Sequence, residues 1–119
     1  MNFFKKNDTI VEEGSKDNLI YILTKGRIGI FKGDVKIAEF ADKGTVVGEM
    51  STILNSPRTA TIKALDDSYI ITIDADIDTL ILKYPDISKK ILQSLAKRLK
   101  NTTDDLWKLA ERVEVSKNT

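Results

Sequence analysis

The sequence predicts an α+β fold that is mainly β, with strands up to residue 74 and helices after it. Two observations support this division. Up to residue 74, short β-branched and aromatic runs alternate with Gly, Asp, Asn and Lys, which is typical of strands joined by turns. Beyond it, apolar residues recur at gaps of three and four positions, which is the period of a helix. Short strands at regular spacing favour a sandwich or a barrel.

The predicted strands are bounded by turn residues. Lys25-Gly26 and Gly33-Asp34 each separate two β-branched runs, as expected for tight turns. The segment 59–65 alternates clearly, because its even positions hold Ala and Ile while its odd positions hold Thr, Lys and Leu. The predicted strands span residues 9–12, 19–24, 27–31, 35–40, 45–48, 59–65 and 68–73.

Two helices are predicted in the last third of the chain. A short helix over 76–82 ends before Pro85, because the residue preceding a proline is disfavoured in helical geometry. Pro85 then opens a long helix, since proline is tolerated in the first turn. The polar tail 116–119 is expected to fray.

The long helix carries an apolar stripe with the a/d spacing of a coiled coil. We expect its first residues, Ile87, Ile91 and Leu92, to pack on their own domain. From Leu99 onward little of the strand region remains to cover the stripe. A parallel helix from a second copy is the favoured partner, and a homodimer is expected. The stripe consists of Leu92, Leu95, Leu99, Thr102, Leu106, Leu109 and Val113.

Composition excludes several classes of function. The length of 119 residues fits one domain, and 41% hydrophobic and 31% charged residues predict a folded core. A net charge of +1 argues against a chain whose main task is to bind nucleic acid, so we expect no direct DNA binding. The sequence has no cysteine and no histidine, which excludes disulfides, Cys- or His-based zinc sites, and Ser-His-Asp or Cys-His catalysis.

The sequence favours neither an enzyme nor a membrane protein. The carboxylate pairs Glu12-Glu13 and Asp66-Asp67 lie at predicted turns, so we interpret them as solvated turn residues rather than as acid–base catalysts. Residues 1–8 become polar before the apolar core of a signal peptide can form. The apolar runs 69–73 and 80–82 are too short to cross a bilayer. We expect a cytoplasmic protein with no membrane partner, no catalytic residue and no metal.

The residues that are most informative about function lie between 48 and 61, a segment that we call the cassette. Gly48 lets the backbone approach a ligand closely. Glu49 offers acceptor oxygens for ligand hydroxyl groups. A short helix over 49–54 would point its free N–H groups at an anion. Arg58 supplies a planar, permanently charged fork that suits phosphate. The cassette therefore suits a small anion that also carries hydroxyl groups.

Two motifs in the cassette resemble those of a known family. Gly48-Glu49-Met50, followed by Pro57-Arg58-Thr59-Ala60-Thr61, is similar to the phosphate-binding cassette of cyclic nucleotide-binding domains. The sequence departs from the family pattern at Val47, where Phe is usual, and at Ser51, where Ala or Gly is usual. The glycine-containing pattern over residues 13–28 also resembles that of the family.

The resemblance implies an eight-stranded antiparallel β-roll, jelly-roll-like, with a short phosphate-cassette helix and C-terminal helices, the last one long. It implies a single cyclic nucleotide-binding domain over 1–119. The β-roll would span 8–74 with the cassette at 48–61, and the C-terminal helices would span 76–115.

The family's ligand contacts carry over to matching positions. Arg58 would pair with the cyclic phosphate, and the backbone N–H groups of Ser51 and Thr59 would face its oxygens. Glu49 would accept from the ribose 2′-OH, and the Gly48 N–H would donate to the ribose end. The Thr59 hydroxyl would be available to the base. The predicted ligand-binding residues are Gly48, Glu49, Met50, Ser51, Arg58, Thr59, Ala60, Thr102 and Thr103.

The choice of base depends on the long helix. Thr102 and Thr103 resemble a hydroxyl pair with which some family members reach adenine; alternatively, Thr102 sets the coiled-coil register, and both roles can coexist. Trp107, one turn after Thr103, either stacks on the purine or packs in the apolar stripe. These residues favour cyclic AMP. Cyclic GMP stays open, because a hydroxyl residue such as Thr59 occurs in family members of both preferences.

The expected function is a regulatory or sensor module that binds a cyclic nucleotide and signals through movement of its C-terminal helices. The ligand is expected to need no cofactor, and the output would pass through the homodimer or an unidentified effector protein. One alternative is a β-roll interaction module that has lost nucleotide binding, against which the intact Glu49 and Arg58 argue. Simpler interpretations are that these two residues form a surface salt bridge and that Met50 is a core residue.

Overall fold

The computed structural model describes residues 1–117, and within them it contains eight strands and three helices. The strands are β1 (Asn2–Phe4), β2 (Thr9–Val11), β3 (Leu19–Lys25), β4 (Ile28–Lys32), β5 (Val35–Phe40), β6 (Val46–Val47), β7 (Thr61–Ala64) and β8 (Ser68–Asp74). The helices are α1 (Glu49–Leu54), α2 (Ile77–Lys83) and α3 (Pro85–Lys117).

The strands form two four-stranded antiparallel sheets. One sheet has the order β1-β8-β3-β6, and the other has the order β2-β7-β4-β5. Successive side chains of a strand point to opposite faces, so each strand presents alternate residues to the core. A buried apolar cluster joins residues from both sheets, namely Val11, Tyr21, Leu23, Ile28, Val47, Ile62 and Ile70.

These sheets and helices confirm the predicted fold class. The strand Val35–Phe40 and the helix Glu49–Leu54 have the predicted bounds. The strands predicted over 45–48 and 59–65 are shorter in the structure, because only their central residues find partners in a ladder.

Strand β1 is the main difference, because the predicted β-roll starts only at residue 8. The run of three residues before Lys5 is too short to show a strand period. Pairing with a distant strand decides its conformation, since Asn2 lies opposite Ile70 and Phe3 lies opposite Tyr69. The rings of Phe3 and Tyr69 have centroids 5.0 Å apart, which adds an aromatic contact across the pair.

The chain divides into two compact units, Met1–Lys83 and the part from Tyr84 onward. The first unit contains both sheets, α1 and α2; the second is α3. A single domain over 1–119 therefore stays a prediction. Helix α3 includes two residues of the tail that was expected to fray, and residues 118 and 119 lie outside the described part. Among the described helices, none combines the length and the apolar character that a membrane span requires.

Candidate functional site

A glycine that no other residue replaces easily, Gly48, lies immediately before helix α1. Gly48 has φ 83° and ψ 5°, the left-handed conformation that disfavours a Cβ. A Cβ at this position would also lie 2.8 Å from Nη1 of Arg58 and 3.1 Å from Cδ2 of Tyr21. The backbone at Gly48 therefore lies directly against the Arg58 side chain. Asn55, with φ 50°, ends the helix and donates its N–H to the Ser51 carbonyl.

Arg58 is the centre of this site, and its guanidinium is almost completely engaged. The residue is only 5% exposed. Its Nη1 donates to the Gly48 carbonyl at 2.6 Å, and its Nη2 donates both to the Leu19 carbonyl and to Oδ1 of Asp17. The Tyr21 ring lies 5.7 Å from the guanidinium carbon, within cation–π range. One carboxylate and two neutral carbonyls thus hold a buried cation.

The backbone of Arg58 is fixed as firmly as its side chain. Its N–H donates to the Ser15 carbonyl at 2.8 Å, and its own carbonyl accepts from the Gly14 N–H at 2.7 Å. The turn between β2 and β3 therefore holds Arg58 in the segment that precedes β7. Gly14 has φ 87°, so glycine suits this turn for a conformational reason.

Asp17 is the ionised partner of Arg58. Burial raises the pKa of Asp17, but hydrogen bonds from the Arg58 guanidinium and the Leu19 N–H outweigh burial and hold this pKa below its usual value. Burial also raises the pKa of Tyr21, whose ring lies beside this pair, so its hydroxyl stays protonated. Because Asp17 stays charged near neutrality, it compensates the buried cation.

Four of the predicted ligand-binding residues come together at this point. Gly48, Glu49 and Ser51 lie at the start of α1, beside Arg58. Glu49 is 2% exposed and Ser51 is 6% exposed, so both are buried. The interpretation of Glu49 and Arg58 as a surface salt bridge is therefore wrong. The core position suggested for Met50 is also wrong, because this side chain is 46% exposed.

The other predicted residues lie at the edge of the site or in the second unit. Thr59 is exposed next to Arg58, and its carbonyl accepts from Lys32 Nζ at 2.7 Å. Ala60 is half-buried. Thr102 and Thr103 are exposed on α3. The Thr103 hydroxyl donates to the Leu99 carbonyl at 2.9 Å within that helix. The ligand-binding roles of all nine residues stay predictions.

Sequence reasoning did not find Asp17, Leu19 or Ser15 as parts of the site. Asp17 stands 41 positions from Arg58, and no local spacing connects them. The motif over 13–28 includes Asp17 only as an unspecified position. The sequence does contain one clue, because Asp17 is an acidic residue in the turn immediately before a predicted strand.

Comparison with known proteins shows the family of this chain. The family model described as "Cyclic nucleotide-binding domain" matches residues 1–83. The chain belongs to the cyclic nucleotide-binding domain family. It is 26% identical over 108 residues to the "CRP-like cAMP-activated global transcriptional regulator" of Mycobacterium tuberculosis, which covers 87% of this chain and 48% of the relative.

Two further proteins are similar to this chain, one in sequence and one in structure. The "cGMP-dependent protein kinase 2" of Rattus norvegicus is 27% identical over 118 residues, covering 94% of this chain and 15% of the kinase. The crystal structure of the Thermus thermophilus catabolite activator protein has the same fold, with a TM-score of 0.78, 22% identity, and coverage of 92% of this chain and 54% of that one. The chain thus spans about half or less of the length of these proteins.

Proposed function

We propose that the chain is a regulatory module whose cassette binds a cyclic nucleotide, with cyclic AMP as the preferred ligand. The observation that carries this proposal is the buried Arg58 guanidinium, whose acceptors among residues 1–117 are one ionised group, Asp17, and the neutral carbonyls of Gly48 and Leu19. A phosphate oxygen can displace such a carbonyl, because hydrogen bonds between two ionised groups are stronger than those to a neutral acceptor.

Arg58 and Glu49, which have opposite charges, would bind the phosphate and the ribose of the ligand respectively. Each charge-assisted hydrogen bond from Arg58 to the cyclic phosphate would contribute roughly 1.5–3 kcal/mol. The buried Glu49 carboxylate would accept from the ribose 2′-OH. A 2′-deoxy ligand would leave a buried carboxylate without that partner, so it should bind more weakly.

The identity of the base, adenine or guanine, is a more detailed part of the proposal. Thr102 and Thr103 supply hydroxyl groups on α3, which favours cyclic AMP, as does the relative named as cAMP-activated. Cyclic GMP is the second candidate, because the exposed Thr59 lies next to Arg58 and another relative is named as cGMP-dependent. Trp107 is 66% exposed and thus available either to a purine or to a partner helix.

We further propose that α3 carries the output, as a homodimer or toward an effector protein in the cytoplasm, without direct DNA binding by this chain. The apolar stripe supports dimerisation, since Leu99 and Leu106 are 69% and 63% exposed. The boundary between the two compact units, at Lys83 and Tyr84, is where a ligand-driven movement of α3 would take place.

A thermal-shift titration with cyclic AMP, cyclic GMP and 5′-AMP tests the proposed function. A ligand that binds only the folded chain adds about 2.7 kcal/mol of stability at a hundredfold excess over Kd. We expect the melting temperature to rise with cyclic AMP, to rise less with cyclic GMP, and to stay unchanged with 5′-AMP. No rise with either cyclic nucleotide would contradict the proposal.

The proposed homodimer has a separate test in sedimentation. Leu106→Glu places a charge in the stripe and should convert dimers into monomers, since a desolvated unpaired charge is costly. Leu82→Glu is the matched control, because Leu82 is 81% exposed on α2, outside the stripe. A parent chain that sediments as a monomer even with ligand would refute the homodimer.

A further inference from the structure

Thr52 is unusual in α1 because its hydroxyl is buried and unpaired. The residue is 5% exposed, and its Oγ1 has no hydrogen-bond partner among residues 1–117. Buried polar side-chain atoms almost always have a partner, because losing water without a replacement is costly. An unpaired hydroxyl inside the cassette therefore needs a physical explanation.

The natural acceptor for this hydroxyl is the carbonyl of Gly48. A helical threonine side chain lies over the preceding turn and can donate to the carbonyl four residues earlier, which for Thr52 is that of Gly48. This carbonyl already accepts from Nη1 of Arg58 at 2.6 Å and from Oγ of Ser51 at 3.3 Å. As the helix N-cap it also starts the backbone ladder of α1. Three donors thus already share the two lone pairs of this oxygen, which leaves no place for the Thr52 hydroxyl.

We propose that Thr52 is a positioning residue of the cassette, whose hydroxyl replaces Arg58 at the Gly48 carbonyl when an anionic ligand binds. The inference rests on the proposed function. A phosphate oxygen attracts the Nη1 donor more strongly than a neutral carbonyl does, so Arg58 releases Gly48. Thr52 then donates to the released carbonyl.

The exchange favours the bound state for two reasons. The Gly48 carbonyl keeps its full set of donors after Arg58 has turned to the ligand. The Thr52 hydroxyl gains the partner that it lacks among residues 1–117. Part of the cost of detaching Arg58 is therefore recovered inside the cassette, and the affinity for the ligand is higher than it would be with an apolar residue at position 52.

A ligand-free experiment tests the competition between Thr52 and Arg58. Thr52→Val removes the hydroxyl with little change in shape, and we expect it to raise the urea midpoint of the parent chain. In an Arg58→Ala background the Gly48 carbonyl is released, so the same substitution should lower the midpoint. This reversal of sign is a readout that a purely structural role would not produce.

The opposite result is equally clear. A loss of similar size in both backgrounds would mean that the Thr52 hydroxyl already has a partner in the ligand-free chain, and it would overturn the proposal. If Arg58→Ala does not fold, Ser51→Ala provides a second background, because it releases one donor from the same carbonyl while leaving Arg58 in place.

Calorimetric titration with cyclic AMP tests the effect on binding. Thr52→Val should weaken binding by about threefold to tenfold, the effect of one ordinary hydrogen bond. Thr52→Ser keeps the hydroxyl and should recover most of the affinity. Thr45→Val is the control, because its hydroxyl donates to the Asp42 carbonyl at 2.7 Å outside the cassette.

Unchanged affinity in Thr52→Val would overturn the proposal. If the parent chain binds no cyclic nucleotide, the proposed function fails by itself. In that case the urea experiment still decides whether Thr52 and Arg58 compete for the Gly48 carbonyl, so the two failures are distinguishable.

Discussion

Two arginines of the first unit, Arg27 and Arg58, are held in contrasting ways. Arg27 binds two carboxylates, Glu39 and Asp66, each at 3.0 Å, and its side chain is 37% exposed. The hydrogen bonds that Arg27 donates to Asp66 and Glu39 raise the pKa of Arg27 further above its ordinary value. Arg58 has one carboxylate partner, Asp17, and its side chain is only 3% exposed.

This difference is our reason for proposing Arg58, rather than Arg27, as the arginine that binds an anion. Arg27 already donates to two ionised acceptors, and Lys36 balances the second of these charges, so a phosphate would have to displace a full carboxylate to reach Arg27. Arg58 and Asp17 together are neutral, and the other partners of Arg58 are carbonyls with only partial charge. A phosphate would have to replace only a carbonyl there, and in the proposed arrangement the buried Glu49 carboxylate accepts from the ribose rather than facing the phosphate. The proposed distinction between the two arginines therefore rests on their ionised partners as well as on burial.

Replacing each arginine with alanine should give the largest difference in cyclic AMP affinity. Arg58→Ala would remove the proposed charge-assisted hydrogen bonds to the ligand; losing two of them, at roughly 1.5–3 kcal/mol each, would lower cyclic AMP affinity by at least about a hundredfold. Arg27→Ala should change the affinity by less than about twofold. Calorimetric titration measures both values, with circular dichroism to confirm that each variant is folded.

If Arg58→Ala bound cyclic AMP as tightly as the parent chain, the proposed difference between the two arginines would be wrong. Because removing one member of a buried pair costs about 3–5 kcal/mol of stability, the titration must be done well below the melting temperature of the variant. Arg58→Lys is a useful companion, since it keeps the charge but loses the two-pronged geometry.

Alanine at two glycines tests the close packing around Arg58. Gly48 and Gly14 have similar φ values, 83° and 87°, so alanine should cost each about 1–2 kcal/mol of strain. Only at Gly48 would the new Cβ crowd Arg58, at 2.8 Å from Nη1, whereas at Gly14 it meets nothing within 4 Å. Urea denaturation should show a greater loss for Gly48→Ala, and cyclic AMP binding should weaken in that variant alone. Equal losses would mean that Arg58 moves aside freely.

A change of pH should have a smaller effect on the free energy of unfolding than these substitutions have. The pKa of Asp17 is lower in the folded chain than in the unfolded one, so its stabilising effect is present above its unfolded pKa. That effect is lost as the pH falls through the lower, folded value. The difference in unfolding free energy between the parent and Asp17→Asn should therefore be largest near pH 7 and shrink below about pH 4.

Asp66→Asn is the matched control for this pH series. The hydrogen bond from Arg27 lowers the pKa of Asp66 too, but its side chain is 52% exposed and the pair is screened by solvent. We expect a weaker pH dependence for Asp66→Asn than for Asp17→Asn. A stronger pH dependence for Asp66→Asn would mean that the Arg27–Asp66 pair contributes more to stability than the Arg58–Asp17 pair, contrary to our expectation.

The parts of the structure that sequence reasoning could predict are those with a local cause. The bounds of α1 follow from Gly48 before it and the Ser56-Pro57 turn after it, and β5 is bounded by Gly33-Asp34. The cluster of Gly48, Glu49, Ser51 and Arg58 could be anticipated because all four belong to one short stretch.

The parts that could not be predicted have long-range causes. Strand β1 exists because β8 pairs with it, more than sixty positions away along the chain. Asp17 becomes the partner of Arg58 only when β3 and the cassette lie side by side. The unpaired hydroxyl of Thr52 depends on which donors occupy one carbonyl, and no residue pattern encodes that occupancy.

The most direct test of the central claim is an NMR titration that follows the arginine side-chain N–H signals as cyclic AMP is added. The chain has few arginines, and Arg27→Lys and Arg58→Lys assign the two signals of interest. We predict that the Arg58 signal shifts strongly with saturation while the Arg27 signal stays in place. Saturable binding of cyclic AMP with an unmoved Arg58 signal would contradict the account.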